Sequence, residues 1–139
     1  MPEINEDTPR IVRADEVGLP LHLQRKLMLL ARINHKAEIC GLIDSRMALH
    51  PVSNVHLEPE KHFLMCSNEF RTVLERIVAC GDTVYGVYHT HPTGNLYPSG
   101  GDIRGWPVKE LSWRYFIATK TEIGEFVYEN QPDSVTVGG

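Results

Sequence analysis

The sequence predicts an α+β domain, a mixed β-sheet flanked by helices. Three observations predict it. Two segments carry apolar residues at three- and four-residue steps. Several short apolar runs are bounded by turn residues. The two kinds of segment interleave without an internal repeat or an interdomain linker. A chain of 139 residues, 42% of them hydrophobic, suits one compact domain.

In chain order, residues 1–10 read as a flexible N-terminal arm. Ile11 to Ala14 reads as a short strand. LPLHLQRKLMLLARINH reads as a helix, with Leu23, Leu27, Leu30 and Ile33 on one face and Pro20 near its start, where a missing N–H costs little. EICGLIDS is a buried strand ending in turn residues, and Asp44-Ser45 predicts a tight hairpin into RMALHPVSNVH, a strand with a break near Pro51. HLEPEKH is a polar loop and HFLMCS a brief strand. Ser67 and Asn68 are candidate N-caps for a helix carrying Phe70, Val73, Leu74, Ile77 and Val78, with Gly81 as its C-terminal stop. DTVYGVYHTHP is a strand whose alternation puts Tyr85, Val87, His89 and His91 on one face. PTGNLYPSGG is the densest turn segment, and a short helix is predicted from Ser99 to about Gly105. WRYFIATK and IGEFVYEN close the domain as paired strands joined across Thr121 and Glu122. Residues 131–139 read as a polar C-terminal tail.

The formal net charge is -4, and Lys and Arg are scattered, so neither nucleic acid nor an anionic membrane is expected as a partner. No apolar segment approaches the ~20 residues that span a bilayer. The start, MPEINEDTPR, lacks the basic and apolar regions of a secretory signal. Cys40, Cys66 and Cys80 are odd in number and widely spaced, which predicts buried thiols in a reducing cytoplasm rather than disulfides.

The chemistry concentrates in YHTHPTGNLYPSGGD. His89 and His91 project the same way from a strand, so both rings can converge on one ion. Asp102 returns after the loop as a third donor, and three protein ligands leave a tetrahedral zinc position open, as catalytic sites do. Taken alone, the histidine pair also fits two solvated residues at a strand end, and Ser99 with Asp102 fits a capping box. No C-x-x-C of the zinc deaminases and no H-E-x-x-H is present. Two His and one carboxylate also suit Fe(II).

AEICGLI, then YHTHP, then SGGD resembles the signature of the JAMM/MPN+ zinc metalloproteases, and in build the chain is most similar to their small bacterial or phage members. The resemblance extends over about residues 11–130 and implies a JAMM/MPN, cytidine-deaminase-like fold for that domain. It implies one Zn²⁺ per chain, held by His89, His91, Asp102 and a water. It implies Glu38 as the general acid/base that takes the water's proton and later gives it to the leaving amine. Composition alone does not choose Glu38 over Glu58, Glu60, Glu69 or Glu75. Ser99 matches the residue that stabilises the oxyanion. Gly41 is expected to let a neighbour approach closely. Leu96, Tyr97 and Trp106 either line the cleft or belong to the core. His22, His35, His50, His56 and His62 have no partner at ligand spacing.

The implied reaction is hydrolysis of a peptide or isopeptide bond, after the Gly-Gly tail of a ubiquitin-like or sulfur-carrier protein. A phage-tail peptide and a non-catalytic MPN scaffold are the alternatives, and a homodimer is left open. The chain's own VTVGG end resembles such a tail, although a flexible terminus is much the better explanation.

Overall fold

The computed structural model describes residues 11–104 and 112–128. The expected arm at 1–10, the tail at 131–139 and Trp106 lie outside the described residues. Six strands form one sheet: β1 (Ile11–Arg13), β2 (Cys40–Asp44), β3 (Leu49–Val52), β4 (Val84–Thr90), β5 (Arg114–Ala118) and β6 (Ile123–Tyr128). Their order is β1-β6-β5-β4-β2-β3. Only the β4–β5 pair is parallel; the other ladders are antiparallel, so the sheet is mixed as expected.

Alternation along the central strands splits the core. Ile43, Tyr88 and Phe116 point to one face and meet Leu19, Leu23 and Leu27 of α1 (Leu21–Ile33) and the segment before it. Leu42 and Val87 point to the other and meet Val73 and Ile77 of α2 (Ser67–Ala79). A third cluster, Leu96, Ile117, Phe126 and Tyr128, seats the loop after β4 on the sheet. Each helix buries a narrower stripe than its periodicity predicts. In α1 the buried residues are Leu23, Leu27 and Ala31, while Ile33 is 62% exposed; in α2 Val78 is 69% exposed. Both outliers sit in the last turn of their helix.

Local chemistry explains the ends. Gly81 has φ +81°, its N–H donates to Val78 O, and Asp82 N–H donates to Ile77 O. That is a Schellman stop. The N-cap of α2 is Cys66 rather than Ser67 or Asn68, with no side-chain cap bond; Glu69 instead accepts the Ser53 N–H at 2.8 Å. Pro51 does not break its strand. β3 is an edge strand, where a missing N–H faces away from the ladder. HFLMCS provides only one bridge, Met65 to Asn54. Cys40 alone of the cysteines is buried; Cys66 is half-buried and Cys80 exposed, and all three are free thiols. A Cβ on Gly41 would stand 2.5 Å from His50 O and from the Tyr88 hydroxyl, so only glycine lets β2, β3 and Tyr88 pack here.

Candidate metal centre

The site forms where β4 ends. Cys40 at the start of β2 pairs with His89, so the residues just ahead of β2 lie beside the residues just past β4. His89 is in β4. His91 lies one residue beyond it, its N–H still donating to Ala118 O at 3.0 Å. Thr90 is fully buried between them. Its hydroxyl accepts the Ile39 N–H at 3.0 Å, and its N–H donates to Ile39 O at 2.9 Å. Glu38 precedes β2 instead of opening it. Its N–H donates to Pro59 O at 2.7 Å, and its carbonyl accepts from Asn54 Nδ2 at 2.9 Å.

The loop after Pro92 turns through Gly94, at φ +89°, and leads into α3 (Gly100–Arg104). Ser99 caps that helix. Asp102 N–H donates to Ser99 Oγ at 3.0 Å, and Ser99 N–H donates to Asp102 Oδ2 at 2.8 Å. The capping box and the third donor are therefore one arrangement: the box presents Oδ2 to the histidines. It also offsets the weak helical preference of Gly100 and Gly101. Leu96 is buried in the core, while Tyr97 is 54% exposed with its ring edge-on to Phe126.

Four side chains from these segments converge. His89 Nε2 and His91 Nε2 are 3.1 Å apart, and Asp102 Oδ2 stands 3.2 Å and 3.0 Å from them. A tetrahedral zinc with ligand bonds of about 2.0–2.1 Å has donor–donor edges of roughly 3.3–3.4 Å. The three observed separations fall just short of that, as a donor set able to close on one ion would. Glu38 Oε2 is 3.9 Å from His91 Nε2, and the donor atoms of Glu38, His89, His91 and Asp102 all lie within 4.8 Å of one another. Among the described residues Glu38 Oε1 is buried without a hydrogen-bond partner. A buried orphan oxygen beside a set of lone-pair donors fits a group that brings its own polar atoms.

Supporting contacts aim the candidate ligands. His91 Nδ1 donates to Asn95 O at 2.6 Å, which leaves Nε2 as the nitrogen that would offer a lone pair to a metal. Phe63 stacks on His89 with ring centroids 4.3 Å apart. Electrostatics follow burial and pairing. Burial pushes the Glu38 carboxyl up to about 7, partly offset by His91 and reinforced by Asp102. Burial lowers His89 against the pull of Asp102. Burial also opposes the charged forms of His91 and Asp102, yet hydrogen bonds win: the bonds to His89 and His91 hold Asp102 well below the usual carboxylate range, and the bonds to Asp102 and Asn95 O move His91 up. Burial pushes the Cys40 thiol up to about 12, and its Sγ donates to Val52 O, as a packed thiol does.

The structure thus brings together Glu38, His89, His91 and Asp102, with Ser99 bonded to Asp102. The sequence reading did not find Asn54, Phe63 or Asn95, which act through contacts no local spacing announces. The remaining histidines stand apart from the cluster: His50 bonds Asp44 at 2.8 Å, and His56 accepts the Glu58 N–H at 2.9 Å.

The chain is similar to a solution structure of a protein from Desulfitobacterium hafniense, with a TM-score of 0.61 and 26% identity over 75% of each chain. It is 39% identical over 79 residues to a protein of Haloferax volcanii named desampylase, a match covering 51% of this chain and 57% of that relative. The chain therefore spans little more than half the length of that relative. The model of prokaryotic homologs of the JAB domain matches residues 20–129. A match over most of the chain places this protein in the prokaryotic JAB-domain family of JAMM/MPN proteins.

Proposed function

We propose that this chain is a zinc-dependent hydrolase that cleaves a peptide or isopeptide bond after the Gly-Gly tail of a ubiquitin-like or sulfur-carrier protein. The observation that carries the reading is the buried Glu38, His89, His91 and Asp102 group with its orphan carboxylate oxygen. His89, His91 and Asp102 would hold the metal, one per chain. Bound zinc supplies Lewis acidity and a water whose pKa falls to about 7. Glu38 would accept the proton of the attacking water and return it to the leaving amine as the C–N bond breaks. Ser99 keeps its hydroxyl proton for the developing oxyanion, because its Oγ accepts rather than donates in the capping box. The relative named desampylase supports a ubiquitin-like modifier as the substrate class.

The working domain is residues 11–130, with 1–10 and 131–139 outside it; the family match over 20–129 supports these bounds. A cytoplasmic setting agrees with three free thiols. Among the described residues no helix is long and apolar enough to cross a membrane.

Metal analysis of purified protein and a panel of Gly-Gly-tailed adducts, read by mass spectrometry, test the proposal. About one zinc per chain, with release of cysteine or of a lysine-linked partner from the carrier's terminal glycine, is the expected result. Absence of zinc uptake sinks the enzyme reading. Bound zinc with no cleavage of any adduct transfers the assignment to another peptide substrate or to a scaffold.

A further inference from the structure

We infer that Asn54 is a positioning residue that holds Glu38 at the distance proton transfer requires, an inference that rests on the function proposed above. The Asn54 side chain makes four hydrogen bonds, the full capacity of a carboxamide. Nδ2 donates to Glu38 O at 2.9 Å and to His62 O at 3.0 Å. Oδ1 accepts from His56 N–H at 3.1 Å and from Leu64 N–H at 3.0 Å. Two carbonyls on one side and two N–H groups on the other permit only one orientation of the amide.

Glu38 needs such an anchor because it lies ahead of β2, where no ladder bond reaches it. Both of its backbone groups go instead to the loop after β3. Its N–H donates to Pro59 O at 2.7 Å and its carbonyl accepts from Asn54. Asn54 in turn closes that loop on itself, because His56 and Leu64 are pinned to the same Oδ1. The side chain of Glu38 offers only a weak hold: Oε1 has no hydrogen-bond partner among the described residues, and Oε2 makes a long ion pair with His91 at 3.9 Å. The carboxylate therefore stands where the loop puts its backbone. The same loop carries Phe63 onto His89, so one element sets both the acid/base and the face of one ligand. His91 and Asp102 are fixed separately, by Asn95 and by the Ser99 capping box.

The separation defines the test. Asn54→Asp keeps the acceptor oxygen and the shape but replaces the donor facing Glu38 O; Asn54→Ser removes the hub with a neutral side chain. For both, zinc affinity and KM stay within about threefold of wild type, while kcat falls about 10- to 100-fold, the size of effect a displacement of about 1 Å produces. In the metal-free protein the Glu38 amide exchanges its hydrogen at least about tenfold faster, with exchange along β4 unchanged. An unchanged kcat overturns the inference. So does a loss of kcat accompanied by lost zinc and faster exchange throughout β4, which marks a purely structural role. If wild-type protein cleaves no adduct, the proposed function fails on its own, and amide exchange decides whether Asn54 holds Glu38: no change in the variants overturns that too.

Discussion

Asp44 ends β2 and Glu38 lies two residues ahead of its start; they are 6% and 4% exposed, and each faces an imidazole. Asp44 is closed. It accepts Arg46 N–H at 2.9 Å and Ala48 N–H at 3.0 Å through Oδ1, and Oδ2 meets His50 Nε2 at 2.8 Å. Burial alone would raise its carboxyl, but these bonds outweigh burial and hold it below the usual value. Glu38 is open. Its nearest imidazole nitrogen is at 3.9 Å, Oε1 has no partner among the described residues, and burial dominates. Two buried carboxylates flanking one strand thus differ: one locks a turn and the other is left open to a ligand. The difference lies in whether the chain itself satisfies the oxygens, because a buried polar atom without a partner is costly and persists where a ligand completes it.

The largest effect expected is on the open end. His91→Ala removes a donor that stands 3.1 Å and 3.0 Å from the other two. Loss of a supporting contact costs metal sites 10- to 100-fold, so loss of the ligand itself is expected to cost more than about 100-fold in zinc affinity and all turnover. Equilibrium dialysis against a zinc indicator measures it. Retained stoichiometric zinc would mean that His91 belongs with Asp44 and His50, as a structural residue.

Glu38→Gln comes next. It keeps the shape and the Asn54 and Pro59 backbone bonds. Zinc content should stay at wild-type level while kcat falls about 100- to 10,000-fold, the range for a removed acid/base. A variant that lost zinc and activity together would make Glu38 a ligand rather than a proton carrier.

At the closed end, Asp44→Ala strips three hydrogen bonds from the hairpin between β2 and β3. Hydrogen bonds to a charged group contribute about 1.5–3 kcal/mol, so a loss of about 2 kcal/mol in urea unfolding is expected, with zinc affinity and kcat intact. Any large loss of metal would show that the two ends of β2 are coupled.

Much of this contrast was legible in the sequence, and the part that was not has physical causes. Strand phase alone aims His89 and His91 the same way, and Ser99 with Asp102 is readable as a cap. What spacing could not show is that cap partner and candidate metal ligand are the same carboxylate oxygen. The predicted stripes of α1 and α2 failed at Ile33 and Val78, because a hydrophobic period marks a face but not how far the sheet extends beneath it. Pro51 looked like a break because its edge position depends on strand order. Glu38 was indistinguishable from four other glutamates until the resemblance selected it; its place is set by the backbone bonds to Pro59 and Asn54, which no local spacing announces. Asn54 itself carried no signal, since its four partners meet only in the closed loop.

The smallest effect is the most diagnostic, since the two carboxyls must respond to pH with opposite sign in the metal-free protein. Glu38 is raised from 4.5 to about 7. Its folded form holds a proton that the unfolded chain has released, so its contribution to stability is complete below the ordinary value and is lost as pH rises toward 7. Asp44 is lowered from 3.8. Its contribution is complete above the ordinary value and is lost as pH falls through the lowered one. The difference in Tm between wild type and Glu38→Gln should therefore move against wild type between about pH 5 and pH 7, while the difference from Asp44→Asn stays flat there and closes below about pH 4. Adding zinc should flatten the Glu38 response and leave the Asp44 response unchanged, because only the open end gains a partner. Parallel pH responses in the metal-free protein would show that both carboxylates are satisfied by the chain, and the distinction between lock and reactive group would fall.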